Sequence, residues 1–169
     1  MVIKRVMNFA KPTEPQFARI NVNAPVAEAV NLTRFTLYKE GIDIGENLDD
    51  NLPECYAEPH MIEEVVLNLI NNAADAILQN RNHGVIKVSS QSCRQKVVLR
   101  VEDDGPGIPR DLSGKVFEPF FTTKENSTGI GLSLCHRIIT DHRGKIAVRR
   151  SDLGGLFFDR NPRIQPPDR

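Results

Sequence analysis

The chain has 169 residues, 40% hydrophobic and 26% charged, with 22 basic side chains against 22 acidic ones. That is one globular domain able to close a core without staples, and its zero formal net charge excludes a general attraction to nucleic acid or anionic membrane, so any polyanion must be held by a local site. Cys55, Cys93 and Cys135 are too few and too scattered for a disulfide framework or metal cluster and fit a reducing compartment, and no apolar run approaches the roughly 20 residues that span a bilayer.

Val2, Ile3, Val6 and Phe9 recur at helical spacing and stop before Pro12, which reads as the last turns of a helix begun upstream. Residues 19–23 fit a short strand. Pro25 then stands where a helix can start, and Val26, Ala29, Val30, Thr33 and Leu37 give that helix one buried face up to Gly41. Ile42, Ile44 and Leu48 alternate with polar residues as a half-buried strand closed by Asn51-Leu52-Pro53.

Glu58-Pro59 opens the longest helix, over about residues 60–80, whose apolar face is Ile62, Val65, Val66, Leu69, Ile70, Ala73 and Ile77. Beside that face run Glu64, Asn68, Asn72, Asp75 and Gln79, each three or four residues from the last, so carboxylates and amides line one side of the helix. After His83-Gly84, residues 85–90 and 96–102 fit an antiparallel pair of strands. The second runs into Asp103-Asp104-Gly105-Pro106-Gly107.

Ser127-Thr128-Gly129-Ile130-Gly131 leads into a helix carrying Leu132, Leu134, Cys135, Ile138 and Ile139 to His142, with Gly144 as its stop. Residues 145–150 and 154–158 read as two further strands, and residues 162–169 as an unfolded tail or weak edge. Several strands follow one another without an intervening helix, which predicts an α/β two-layer sandwich, a mixed β-sheet covered by helices, and not a doubly wound sheet.

The polar groups converge on one kind of ligand. Two glycine-bearing turns let backbone approach closely, and a helix start behind the second aims unpaired N–H groups and a positive dipole end at an anion. Asn72 can offer an amide oxygen to a magnesium ion, Asp103 can accept from an exocyclic amine such as that of adenine, and Lys124 can neutralise phosphates. Taken singly, each has an ordinary reading as a solvated helix face, a turn or a surface lysine.

Four motifs in order, across residues 60–142, make the chain resemble the catalytic ATP-binding domain of bacterial two-component sensor histidine kinases, in the superfamily that also holds gyrase, Hsp90 and MutL ATPases. Asn68-Leu69-Ile70-Asn71-Asn72-Ala73 is similar to the N box and Asp103-Asp104-Gly105-Pro106-Gly107-Ile108 to the G1 box. Phe117-Glu118-Pro119-Phe120-Phe121 is similar to the F box, and Thr128-Gly129-Ile130-Gly131-Leu132 to the G2 box. The run from Phe120 to Lys124, so close to the G2 box, resembles the short-lid subgroup that includes nitrogen-regulation kinases, and residues 115–127 are expected to be a mobile lid.

The resemblance implies a Bergerat-type fold with about three helices on one face of the sheet. It implies Mg-ATP as ligand, with Asn72 on magnesium, Asn68 near the phosphates, Asp103 on the adenine amine and Gly105, Gly107 and Ile108 forming the adenine-side turn. Thr128, Gly129, Ile130, Gly131 and Leu132 would form the phosphate loop, with Lys124 beside it; Glu64, a turn before Asn68, would act as or orient a base. Residues 1–11 resemble the end of the dimerisation and phosphoacceptor hairpin, residues 12–161 the catalytic domain and residues 162–169 a tail. The implied partners are a phosphoacceptor histidine domain of the same protein and a downstream response regulator, with no nucleic acid. The expected setting is cytoplasmic, with a monomeric fragment and a homodimeric parent that is either soluble or membrane-anchored.

Ser127 stands where the family usually has the first glycine of the G2 box, and residues 157–162 replace the usual apolar strand ending in Leu-Pro, so a frayed last strand is expected. His60 reads as a solvated helix start, His136 and His142 fall in the G2 helix, and neither these nor His83 lies on a helix suited to a phosphoacceptor. Two alternative functions follow. A gyrase- or MutL-like ATPase would carry a glutamate where this chain has Asn68, and a degenerate interaction module would bind no adenine nucleotide.

Overall fold

The structure, a computed structural model, describes residues 16–79, 81–94, 96–104, 130–148 and 155–160. Its strands are β1 (Ala18–Ile20), β2 (Ile42–Asn47), β3 (Cys55–Ala57), β4 (Gly84–Cys93), β5 (Lys96–Asp103), β6 (Lys145–Val148) and β7 (Gly155–Arg160). Its helices are α1 (Asn23–Lys39), α2 (Pro59–Leu78) and α3 (Ile130–Asp141). The segment 1–11, the lid 115–127 and the tail 162–169 lie outside the described residues.

The main sheet has five strands in the order β2-β4-β5-β7-β6. Among the described residues only β2 and β4 pair in parallel, and such a pair needs a long crossover, which contains α2. β4 pairs with β5 in the expected antiparallel register, Ile86 opposite Asp103 and Val88 opposite Val101. Alternation sets the two faces: Ile42, Ile44, Ile86, Val88, Val97, Leu99 and Val101 are buried, while Asp43, Lys87 and Gln91 are exposed. All three helices join the same packed body, α2 against β4 and β5 and between α1 and α3. The two-layer mixed sandwich expected from the element order is the architecture found.

Three expectations need correction. α1 begins at Asn23, so the strand before it ends at Ile20 and not at residue 23. β3, which pairs antiparallel with β1, went unforeseen because three residues between Pro53 and Pro59 carry no periodicity. The last strand is not frayed: β7 is hydrogen-bonded to β5 on one side and β6 on the other, an interior position.

α3 ends as foreseen near His142, but its left-handed residue is Arg143 (φ 57°), one before the glycine. Arg143 N–H donates to the Thr140 carbonyl and Gly144 N–H to that of Ile139, both at 2.8 Å, which is a Schellman ending with Gly144 as its closing donor.

Candidate functional site

α2 carries three of the candidate side chains, and its entry is well determined. Glu58 is extended, Pro59 takes the first helical position, and Glu58 Oε2 accepts from Met61 N–H at 2.7 Å. The apolar face of Ile62, Val65, Val66, Leu69, Ile70 and Ile77 is fully packed. The polar line beside it is graded and not uniformly solvated: Asn68 is 3% exposed, Glu64 and Asn72 are half-buried, and Asp75 and Gln79 lie in solvent. Glu64 Oε1 and Asn68 Nδ2 are both buried atoms, and Nδ2 has no hydrogen-bond partner among the described residues. A buried donor left unpaired costs about 1–3 kcal/mol, so it calls for an acceptor from outside these elements.

α3 lies alongside α2, and two contacts define how. Glu58 N–H donates to His142 Nε2 at 3.1 Å, and Cys135 Sγ approaches the Val65 carbonyl at 3.8 Å. Passing from the first contact to the second moves seven residues forward on α2, 58 to 65, and seven back on α3, 142 to 135. The helices are therefore antiparallel with equal advance, about 10 Å of axis between the two ties. Continuing that register places Asn68 opposite the Leu132 position in the first turn of α3. The unpaired amide is thus level with the first turn of α3, where backbone N–H groups and the dipole favour an anion.

The carboxylate comes from the sheet. Asp103 ends β5 on the helix-facing side, in line with Leu99 and Val101, and is 7% exposed. Beside it the far end of α2 closes on the sheet: a Cβ on Gly84 would meet Ile77 Cγ2 at 2.5 Å and Asp104 Oδ1 at 2.8 Å, so only glycine permits this approach. Ile77 lies nine residues beyond Asn68, about 13 Å along the helix. A buried acceptor at one end and a buried donor with a helix start at the other can hold the two ends of one extended, anionic ligand.

Glu64, Asn68, Asn72 and the helical backbone of Ile130, Gly131 and Leu132 therefore belong to the helix layer, and Asp103 to the helix-facing side of the sheet beneath it. Gly105, Gly107, Ile108, Lys124, Thr128 and Gly129 lie outside the described residues. Sequence reasoning missed His142, which is 2% exposed, with Nδ1 2.7 Å from the Ile138 carbonyl. The one available signal was its place just before Arg143-Gly144, where a helix stop meets the packed body.

Comparison with known proteins agrees with this fold. Residues 57–163 match the model of the family described as histidine kinase-, DNA gyrase B- and HSP90-like ATPase. The chain is 34% identical over 158 residues to the signal transduction histidine-protein kinase AtoS of Escherichia coli, covering 93% of this chain and 26% of that protein. It is 33% identical to the sensor histidine kinase ZraS of Escherichia coli, of which it covers 33%. The chain thus spans about a quarter to a third of the length of these relatives. Among solved structures, the catalytic domain of histidine kinase ThkA superposes with a TM-score of 0.78 at 35% identity, over 87% of this chain and 96% of that one. ThkA in complex with the response regulator TrrA gives a TM-score of 0.76 at 31% identity, over 95% of this chain and 46% of that one. The chain belongs to the histidine kinase-, DNA gyrase B- and HSP90-like ATPase family, as an ATP-binding catalytic domain of the sensor histidine kinase kind.

Proposed function

We propose that this domain holds Mg-ATP between α2 and the starts of its two glycine turns and presents the γ-phosphate to a histidine on a separate phosphoacceptor domain. The observation that carries the reading is Asn68, a buried amide donor without a partner among the described residues, in register with the first turn of α3. A phosphate oxygen is the acceptor that fits both the amide and the helix start.

In this reading Asp103 accepts from the adenine amine, with Gly105, Gly107 and Ile108 forming the turn against the base. Thr128, Gly129, Ile130, Gly131 and Leu132 hold the phosphates, and Lys124 offsets their charge. Asn72, one turn from Asn68, supplies an amide oxygen to magnesium, which when bound neutralises charge on the phosphates. The acceptor imidazole nitrogen forms a bond to the γ-phosphorus as the bond to the β-γ bridging oxygen breaks and ADP leaves. Glu64, half-buried a turn before Asn68, takes or orients the imidazole proton. Little covalent chemistry is asked of the protein; positioning and charge stabilisation do most of the catalysis.

The domain is proposed to be cytoplasmic, in a homodimeric parent protein, either soluble or membrane-anchored, whose phosphoryl group passes to a response regulator. Supporting this are the similarity to AtoS and ZraS and the solved pairing of ThkA with TrrA. No helix among the described residues is long and apolar enough to cross a membrane. A calorimetric titration tests the binding step: one equivalent of Mg-ATP is expected to bind, and Asn68→Ala to weaken it. Absence of binding to the intact chain would reject the reading in favour of a degenerate module.

A further inference from the structure

The contacts of Cys135 and His142 with α2 differ in kind. At Cys135 a thiol meets a carbonyl at 3.8 Å, a weak contact that a small shift would leave intact. At His142 the bonding is directional and leaves no choice of tautomer: the Glu58 N–H must donate, so Nε2 is the acceptor, and Nδ1 carries the hydrogen that reaches the Ile138 carbonyl. The ring is 2% exposed and lies against Phe17, centroids 4.7 Å apart. It therefore joins three things at one point, the capping residue of α2, the last turn of α3 and the residue leading into β1.

We propose that His142 is a positioning residue for nucleotide phosphates: it sets the register of α3 along α2 and thereby places the first turn of α3 opposite Asn68. This rests on the nucleotide reading above and goes beyond it, since His142 lies ten residues, about 15 Å, from the Leu132 position and touches no ligand group itself. Action at that distance follows from rigidity. A helix is stiff along its axis, so a slip at its fixed C-terminal end moves its N-terminal N–H groups by the same amount. The directional bond at Glu58 resists that slip, and the adenine end of the site, on β5, does not share in it.

The test compares ADP with adenosine, because the two differ only in the phosphates. In His142→Leu the Glu58 N–H loses its acceptor, and ADP affinity is expected to fall about tenfold with adenosine affinity unchanged. In His142→Gln the amide oxygen can replace Nε2 as acceptor, and most of the ADP affinity should return. His142→Asn, too short to reach Glu58, serves in place of the leucine variant should that one fail to fold. A parallel loss of ADP and adenosine, or a glutamine variant as weak as leucine, would overturn the proposal. If the wild type bound neither ligand, the nucleotide reading itself would fail. Hydrogen exchange in the first turn of α3 of the ligand-free protein then judges the register claim alone: faster exchange in leucine than in glutamine supports it, and equal rates reject it.

Discussion

Arg81 Nη2 lies 3.2 Å from Asp104 Oδ1, and the same guanidinium donates to the Asp104 carbonyl. Oδ1 also accepts from Val85 N–H at 3.1 Å, and Asp104 N–H returns to the Val85 carbonyl at 3.3 Å. Asp104 thus continues the β4–β5 ladder one residue past the strand and ties it to the segment after α2, directly beside Asp103. Asp104→Ala is expected to cost about 1–2 kcal/mol by removing the acceptor of a backbone N–H. Arg81→Ala should cost less, about 0–1 kcal/mol, because the ion pair is partly solvated. Denaturant unfolding of both variants measures the difference; equal losses would contradict it.

Asp103 is predicted to act on ligand more than on stability. Asparagine keeps the size of the side chain and one acceptor oxygen, but a charged acceptor for an amine is lost. Asp103→Asn should lower adenine-nucleotide affinity by about 1.5–3 kcal/mol, roughly tenfold to over a hundredfold. Calorimetry with ADP reads this, and unchanged affinity would remove Asp103 from the site.

Asn72 and Asn68 stand one turn apart but differ in burial, and the two are expected to separate by metal dependence. Asn72→Ala should weaken binding far more with magnesium present than with a chelator, whereas Asn68→Ala should weaken both. Equal losses for Asn72 in the two conditions would mean that it contacts nucleotide or supports the helix without ligating the ion.

Glu63, on the flank of α2, has its carboxyl pushed above the usual range by burial first and by the nearby Glu28 and Glu64 carboxylates, with His60 opposing. A carboxyl more easily protonated in the folded chain stabilises it fully below the unfolded-state pKa, and that contribution is lost as pH rises through the folded-state value. Glu63→Gln, which cannot ionise, should therefore raise Tm modestly near neutral pH and leave it unchanged at about pH 3–4. A Tm gain that persists into acid would point to packing instead.

Much of the fold was legible in local pattern. The 3.6-residue period of α2 and the alternation of β4 and β5 both report burial that each element imposes on itself. The end of β5 at Asp103 was legible too, since the apolar strand stops where Asp104-Gly105 begins. What the pattern could not carry is the effect of distant segments. Asn68 has the same spacing relation to the apolar face as Asp75, yet one is buried and the other exposed, because α3 packs along only part of α2. His142 looked like a helix end for the same reason: its partner Glu58 is 84 residues away. The interior place of β7 likewise depends on strand order, which Gly155-Leu156-Phe157 does not encode locally.

The most direct measurement of the central claim is phosphoryl transfer itself. The domain is incubated with γ-labelled Mg-ATP, alone and with a phosphoacceptor hairpin from its parent protein or a close relative. The account predicts an acid-labile, base-stable label on the hairpin histidine, dependent on Asn68 and Asp103, and none on His60, His83, His136 or His142. Stoichiometric label on this chain alone, or rapid release of inorganic phosphate with the hairpin unlabelled, would contradict it.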